Sequence, residues 1–308
     1  MTVISEPRHL VLASLASGSR GNCTYIGDGV TGVLIDCGLT ENKVRARLEQ
    51  CGLGRKPPID AILLTHKHGD HAANARVLAN KLGVPVLMSR GTHHGLLSDD
   101  RRLNAAGKSR KKKLAPNPDK IRIFDAYPDE TGAGSPYSFY VRGDSGDFLN
   151  VEAITDIPHD TPTTAFRVGR QGVWATVLTD FGRATPEITE FIRPSSILLL
   201  EFNHEVRLLQ DYPEYSDALK ERIGNTHMCN PDSSALLVAA NPPDLKCLIL
   251  GHISEKANRP EMAHGWAKEA VRQLQCHPPI LIGRQAGMEC HVAVALPQNP
   301  GAQGEDML

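Results

Sequence analysis

Three imidazoles and a carboxylate fall within six residues in Thr65-His66-Lys67-His68-Gly69-Asp70-His71, directly after the apolar run Ala61-Ile62-Leu63-Leu64. Crowding such groups is unfavourable unless something positive holds them, so the stretch reads as a metal site rather than as solvated surface histidines. Nitrogen and oxygen donors without thiolate suit zinc, manganese or iron. His66 and His68 alternate and can face one side of a chain leaving a strand. Asp70 and His71 follow a turn further on, where a second ion could sit. An isolated HxH pair would not carry that conclusion; four donors at this density do.

Strands and short turns must deliver such a cluster. Residues 9–15 alternate and end in a tight polar turn, Ser17-Gly18-Ser19-Arg20-Gly21-Asn22. Gly27-Asp28-Gly29 makes a second turn, and residues 32–35 form a strand running into Asp36. Thr40 stands where it would cap a helix reaching Gln50, with Glu41 in the first turn and Gly52 behind. Residues 72–82 read as one helix closed by Gly83, and 84–88 as a short strand, so the first half runs βββαβαβ. His93 and His94 have no other ligand types around them and read as a solvated loop. Between 99 and 120 the composition turns basic, with Arg101, Arg102, Lys108, Arg110, Lys111, Lys112 and Lys113. That is either a flexible solvated loop or a flap that attracts phosphate. The second half supplies strands near 137–141, 151–154, 165–168, 173–178, 195–200 and 245–250, with helices over 219–223, 231–240 and 261–274. His264 and His277, on or after the last helix, read as structural.

With this order of elements, HxHxDH after an apolar strand resembles the signature of the metallo-β-lactamase fold superfamily of hydrolases. The likeness runs from about Ala13 to about Ala263 and is strongest to the YycJ or WalJ type, an exonuclease-like branch. The resemblance implies an α/β (α+β) fold, a four-layer αββα sandwich, over residues 1–297; residues 298–308, rich in proline, glycine and glutamine, read as a disordered tail. It also implies the rest of the site. One ion would be held by His66, His68 and His159, the other by Asp70, His71 and His252, with Asp180 between them. Asp36 would accept a hydrogen bond from a ligand histidine and fix its ring. Asp70 would orient or deprotonate the nucleophile, and His204 and His227 would contact a phosphate or protonate the leaving group. Ser17 and Asn22 in the SGSxGN loop, Asn203 in E-x-N-H and Asn230 in H-x-x-N would meet the substrate. The chain departs from the GHLSN-like string usual at that last point, reading Thr226-His227-Met228-Cys229-Asn230.

Composition bounds these readings. In 308 residues, 41% are hydrophobic and 22% charged, the balance of a globular chain with a sizeable core. The net charge of −1 gives no overall field toward nucleic acid or a membrane, so any basic surface is local. Seven cysteines, odd in number, scattered and without a CxxC pair, argue for a reducing compartment. With no apolar run near the ~20 residues of a spanning helix and no secretory pattern at residues 1–7, the expectation is a cytoplasmic protein without an obligate partner. The expected function is that of a two-metal hydrolase using zinc, or manganese or iron, and a metal-bound hydroxide. Its leading substrate is the phosphodiester of nucleic acid. The alternatives are a small cyclic phosphodiester, thioester or lactone, and a metal-binding scaffold without turnover.

Overall fold

The computed structural model describes residues 8–105, 116–124, 136–285 and 291–297. Its elements in chain order are β1 (His9–Ala16), β2 (Cys23–Gly27), β3 (Gly32–Ile35), α1 (Glu41–Gln50), β4 (Ala61–Leu64), α2 (Gly69–Ala72), α3 (Ala75–Leu82), β5 (Val86–Ser89), α4 (Arg90–Ala105), β6 (Ile121–Phe124), β7 (Tyr137–Arg142), β8 (Phe148–Ile154), β9 (Ala165–Arg170), β10 (Val173–Leu178), α5 (Pro186–Ile192), β11 (Ile197–Glu201), α6 (Val206–Asp211), α7 (Asp217–Thr226), α8 (Asn230–Ala240), β12 (Cys247–Gly251), α9 (Pro260–Val271), β13 (Ile280–Ile282) and β14 (His291–Ala295). Among the described residues these strands form two sheets, ordered β14-β1-β2-β3-β4-β5-β6 and β13-β12-β11-β10-β9-β8-β7.

The side-chain period of two explains the layering. In β4, Ala61 and Leu63 join the core between the sheets, while Ile62 and Leu64 face the helices outside. In β11, Ile197 and Leu199 point to the same inner core, and Leu198 and Leu200 to the opposite helical layer. Burial on both faces is why these strands read as unbroken apolar runs rather than as alternating ones. Helices α1 and α3 pack with Leu48, Leu78 and Ala79 on the first sheet; α5, α8 and α9 pack with Phe191, Leu237 and Ala267 on the second. The result is the expected αββα sandwich.

Several local expectations change. The helix expected over 72–82 starts later, at Ala75, because the short α2 ends at Ala72 and the chain restarts with Asn74 in the cap position of α3. Thr40 occupies the cap position of α1 without a side-chain bond. His93 and His94 are not in a loop but in α4, which also takes in Arg101 and Arg102. The proposed loop is therefore helical at its start, and Lys108, Arg110, Lys111, Lys112 and Lys113 lie outside the described residues, as do residues 298–308. No helix among the described residues is long and apolar enough to cross a membrane.

Candidate metal centre

In the first sheet β3 and β4 run parallel, and in the second β10, β11 and β12 do. β8 is antiparallel to β9, which is antiparallel to β10, so β8 points the same way as β10. The carboxyl ends of these strands deliver Asp36, His66, His159, Asp180, Glu201 and His252 to one edge of the sandwich, where α/β sheets commonly carry their sites. Asp36, Asp180 and His252 each leave their strand with positive φ, at 61°, 62° and 51°. That region costs a non-glycine residue about 1–3 kcal/mol and persists where the surroundings demand it.

Hydrogen bonds fix four of the imidazoles, those of His66, His71, His159 and His252, so that one nitrogen is anchored and the other turns inward. The Asp36 carboxylate accepts from Thr65 N at 2.9 Å, from Thr65 Oγ1 at 2.9–3.0 Å and from His71 Nδ1 at 2.7 Å. His66 Nδ1 donates to Thr65 Oγ1 at 2.9 Å. His159 Nδ1 donates to the Thr226 carbonyl at 2.9 Å, and His252 Nδ1 to Glu201 Oε1 at 2.8 Å. The inward nitrogens then meet. His66 Nε2 lies 3.0 Å from His68 Nδ1, which lies 3.5 Å from His159 Nε2. His71 Nε2 stands 3.3 Å from Asp180 Oδ2 and 3.5 Å from Asp70 Oδ2, and His252 Nε2 is 3.6 Å from Asp180 Oδ1.

Among the described residues, four overlapping groups have donor atoms within 4.8 Å of one another: His66, His68 and His159; Asp70, His71 and His252; His66, His71 and Asp180; and Asp180, Glu201, His227 and His252. Asp180 Oδ2 and His252 Nε2 are buried without a hydrogen-bond partner, a costly state for a carboxylate oxygen and an imidazole nitrogen. Orphaned donors in an imidazole and carboxylate set are what a divalent cation such as zinc or manganese satisfies, so the residues fit a metal.

The electrostatics agree. Burial pushes His66, His68 and His159 down, leaving neutral rings with a lone pair to offer. Burial would also lower His252, but Asp180 and Glu201 outweigh it and raise the ring to about 9. His71 is raised in the same way by Asp180 and Asp36. Burial opposes ionisation of Glu201, yet His227 and His252 hold it down at about 2. Buried carboxylates at this edge thus draw positive charge wherever they can find it.

All seven residues expected to hold metal are brought together. The others divide. Asn22 Nδ2 is 2.8 Å from His71 Nε2 and 3.4 Å from Asp70 Oδ2, at the cluster itself. Ser17 Oγ is occupied by the backbone N–H of His252 at 2.7 Å. Asn203 Nδ2 donates to the His252 carbonyl at 2.9 Å. Asn230 is fully buried, bonded through its amide to Glu205 and Asn258, so it is committed to the interior rather than to a substrate. His227 Nδ1 meets Glu201 Oε1 at 2.9 Å. His204 is buried, lowered first by burial, and joins none of the four groups. Sequence reasoning gave no role to Glu201, which anchors two histidines, or to Asp160, whose Oδ1 lies 3.2 Å from His159 Nε2 and 3.4 Å from His68 Nε2. The signal for Glu201 was legible: a carboxylate closing an apolar strand, as Asp180 nearly does after β10.

Residues 16–174 match the family model described as the metallo-beta-lactamase superfamily. The chain is 29% identical over 254 residues to the exodeoxyribonuclease WalJ of Streptococcus pneumoniae serotype 2, covering 81% of this chain and 84% of that protein. It is 26% identical over 253 residues to the exodeoxyribonuclease YycJ of Bacillus anthracis, with the same coverage. In fold it is similar to the metallo-beta-lactamase fold protein YhfI from Bacillus subtilis, with a TM-score of 0.58, 13% identity, and 93% of this chain and 100% of that one covered.

Proposed function

The chain belongs to the metallo-beta-lactamase superfamily, and from that premise we propose that it is a two-metal-dependent phosphodiesterase of the exonuclease type, acting on nucleic acid. The two relatives above are named exodeoxyribonucleases, which favours DNA as the polymer. A cytoplasmic setting suits this reading, since nucleic acid and scattered thiols share a reducing compartment.

The observation that carries the reading is the buried Asp180 carboxylate, which shares one cluster of donor atoms with His66 of the first set and His71 of the second while one of its oxygens has no hydrogen-bond partner. His66, His68 and His159 would hold one cation, and Asp70, His71 and His252 the second, with Asp180 shared. Zinc, manganese and iron all suit these donors. Bound there, divalent cations would make a water acidic enough to react near neutral pH and would stabilise charge developing on the phosphate.

The remaining work belongs to the chain. Asp70, on the open side of the pocket, is suited to orient the attacking water and take its proton. Glu201 secures His227 Nδ1, leaving Nε2 to pass a proton to the departing oxygen. His227, rather than the enclosed His204, is the acid in this scheme. Asn22 steadies Asp70 and His71 from the SGSRGN turn.

Protein stripped with a chelator and reloaded with manganese or zinc is expected to shorten a 5′-labelled oligonucleotide, and His68→Ala to abolish that activity. Turnover of a lactone or thioester without cleavage of any phosphodiester would replace this reading.

A further inference from the structure

We propose that Arg222 binds a phosphate of the substrate strand next to the one being cleaved, with Asp160 holding it ready; this inference rests on the nuclease reading. Arg222 lies on α7 and reaches the loop that carries His159. Its Nε and Nη2 both donate to Asp160 Oδ2, at 2.9 and 2.5 Å. The other oxygen of Asp160 faces the cluster, 3.2 Å from His159 Nε2 and 3.4 Å from His68 Nε2. A guanidinium is thereby held across the Asp160 carboxylate from the histidine cluster.

Two features separate this pair from an ordinary surface ion pair. Arg222 spends two donors on a single oxygen, and its side chain is 58% exposed, so part of its planar fork remains turned to solvent. Its partner Asp160 also lines an open cleft of about 300 Å³ with Asp156, Pro158, His159 and Pro162, which leaves room for a ligand against Asp160. The pair is not required to seat α7 on the loop, because Thr226 on the same helix already accepts a hydrogen bond from His159.

The position selects the ligand. The whole Asp160 carboxylate intervenes between Arg222 and the ring nitrogens, so the guanidinium cannot touch a group gathered among those nitrogens. It meets a group further out. For a polynucleotide that group is the neighbouring phosphate, whose paired oxygens match the arginine fork; a small phosphodiester has nothing there.

The test compares metal-loaded wild-type protein, Arg222→Gln and Arg222→Lys, each checked for an unaltered melting curve. Binding to a fluorescein-labelled phosphorothioate oligonucleotide is read by anisotropy across a salt series, and turnover of bis-p-nitrophenyl phosphate is measured alongside. Arg222→Gln should weaken oligonucleotide binding about tenfold or more and lower the slope of log affinity against log salt by about 0.7, one phosphate contact on a single strand. Arg222→Lys should keep the slope and lose part of the affinity. The loss on the oligonucleotide should exceed any loss on the small diester by about tenfold. An unchanged salt slope in Arg222→Gln, or equal losses on both substrates, would overturn the inference while leaving the nuclease reading intact. Absence of oligonucleotide binding by the wild-type protein would remove both.

Discussion

Asp36 touches no group that would meet a substrate, yet it receives Thr65 through backbone and hydroxyl and His71 through Nδ1. Through Thr65 it also governs His66. Asp36→Asn should therefore weaken metal affinity about 10–100-fold, as loss of a partner to a ligand histidine does elsewhere, while oligonucleotide cleavage recovers at high metal concentration; chelator competition measures the shift. The paired shifts of Glu201 and His252 give a pH signature in metal-free protein. Glu201, held down at about 2, contributes stability that is present above its unfolded value of about 4.3 and lost as pH falls toward 2. His252, raised to about 9, contributes stability that is present below about 6.5 and lost as pH rises through 9. Urea unfolding of the apoprotein between pH 6.5 and 9 should show that decline, and His252→Ala should lack its share of it. Metal must displace the same proton, so metal affinity should rise with pH over this window and binding should release protons to the buffer.

At the scale of elements, the site depends on turns that leave no room for a side chain. A Cβ on Gly182 would collide with the Asn225 carbonyl at the end of α7, and one on Gly38 with the Asp70 carbonyl. Gly182→Ala should push back the helix that presents Thr226 and His227, destabilising the protein by about 1–3 kcal/mol and cutting turnover more than metal affinity. Thermal unfolding together with turnover and metal titration would separate the two effects. The strands behind these turns were legible in the sequence where both faces are apolar: β10 spans the residues expected of it, and β11 and β12 are displaced by only one or two positions. The histidines at 66–71 were legible as chemistry because so dense a set of imidazole and carboxylate groups is hard to sustain without a cation. Their partners were not. His159 follows an irregular loop, and Asp180 and His252 sit one or two residues past their strands in left-handed conformations, so spacing alone could not aim them. They entered through resemblance. Helix α4 was missed because Gly91-Thr92-His93-His94 at its start has neither a helical apolar stripe nor strong formers, and tertiary contacts decide it, such as Thr92 Oγ1 with the Thr65 carbonyl.

Over the whole molecule, the catalytic edge and the opposite end of the sandwich are built differently. At the far end Asp28, from the β2–β3 turn, has a fully buried carboxylate and binds Arg8 at 2.6 Å and Arg170 at 3.0 Å. Arg170 in turn binds Asp147, from the β7–β8 turn of the second sheet, at 2.6 Å. This network ties the two sheets together, and removing its central carboxylate leaves Arg8 and Arg170 to share Asp147, at 3.4 and 2.6 Å. Asp28→Ala should cost about 1–3 kcal/mol in urea unfolding without changing metal stoichiometry, whereas substitutions among the seven residues at the opposite edge should change the stoichiometry. The near-neutral net charge of −1 leaves substrate attraction to local groups at the edge. The most direct test of the account is an anomalous-scattering crystal structure of protein loaded with manganese or zinc. It should contain two peaks at this edge, one bounded by His66, His68 and His159 and the other by Asp70, His71 and His252, with Asp180 touching both. A single peak elsewhere in the molecule, or none among these seven side chains in fully active protein, would contradict it.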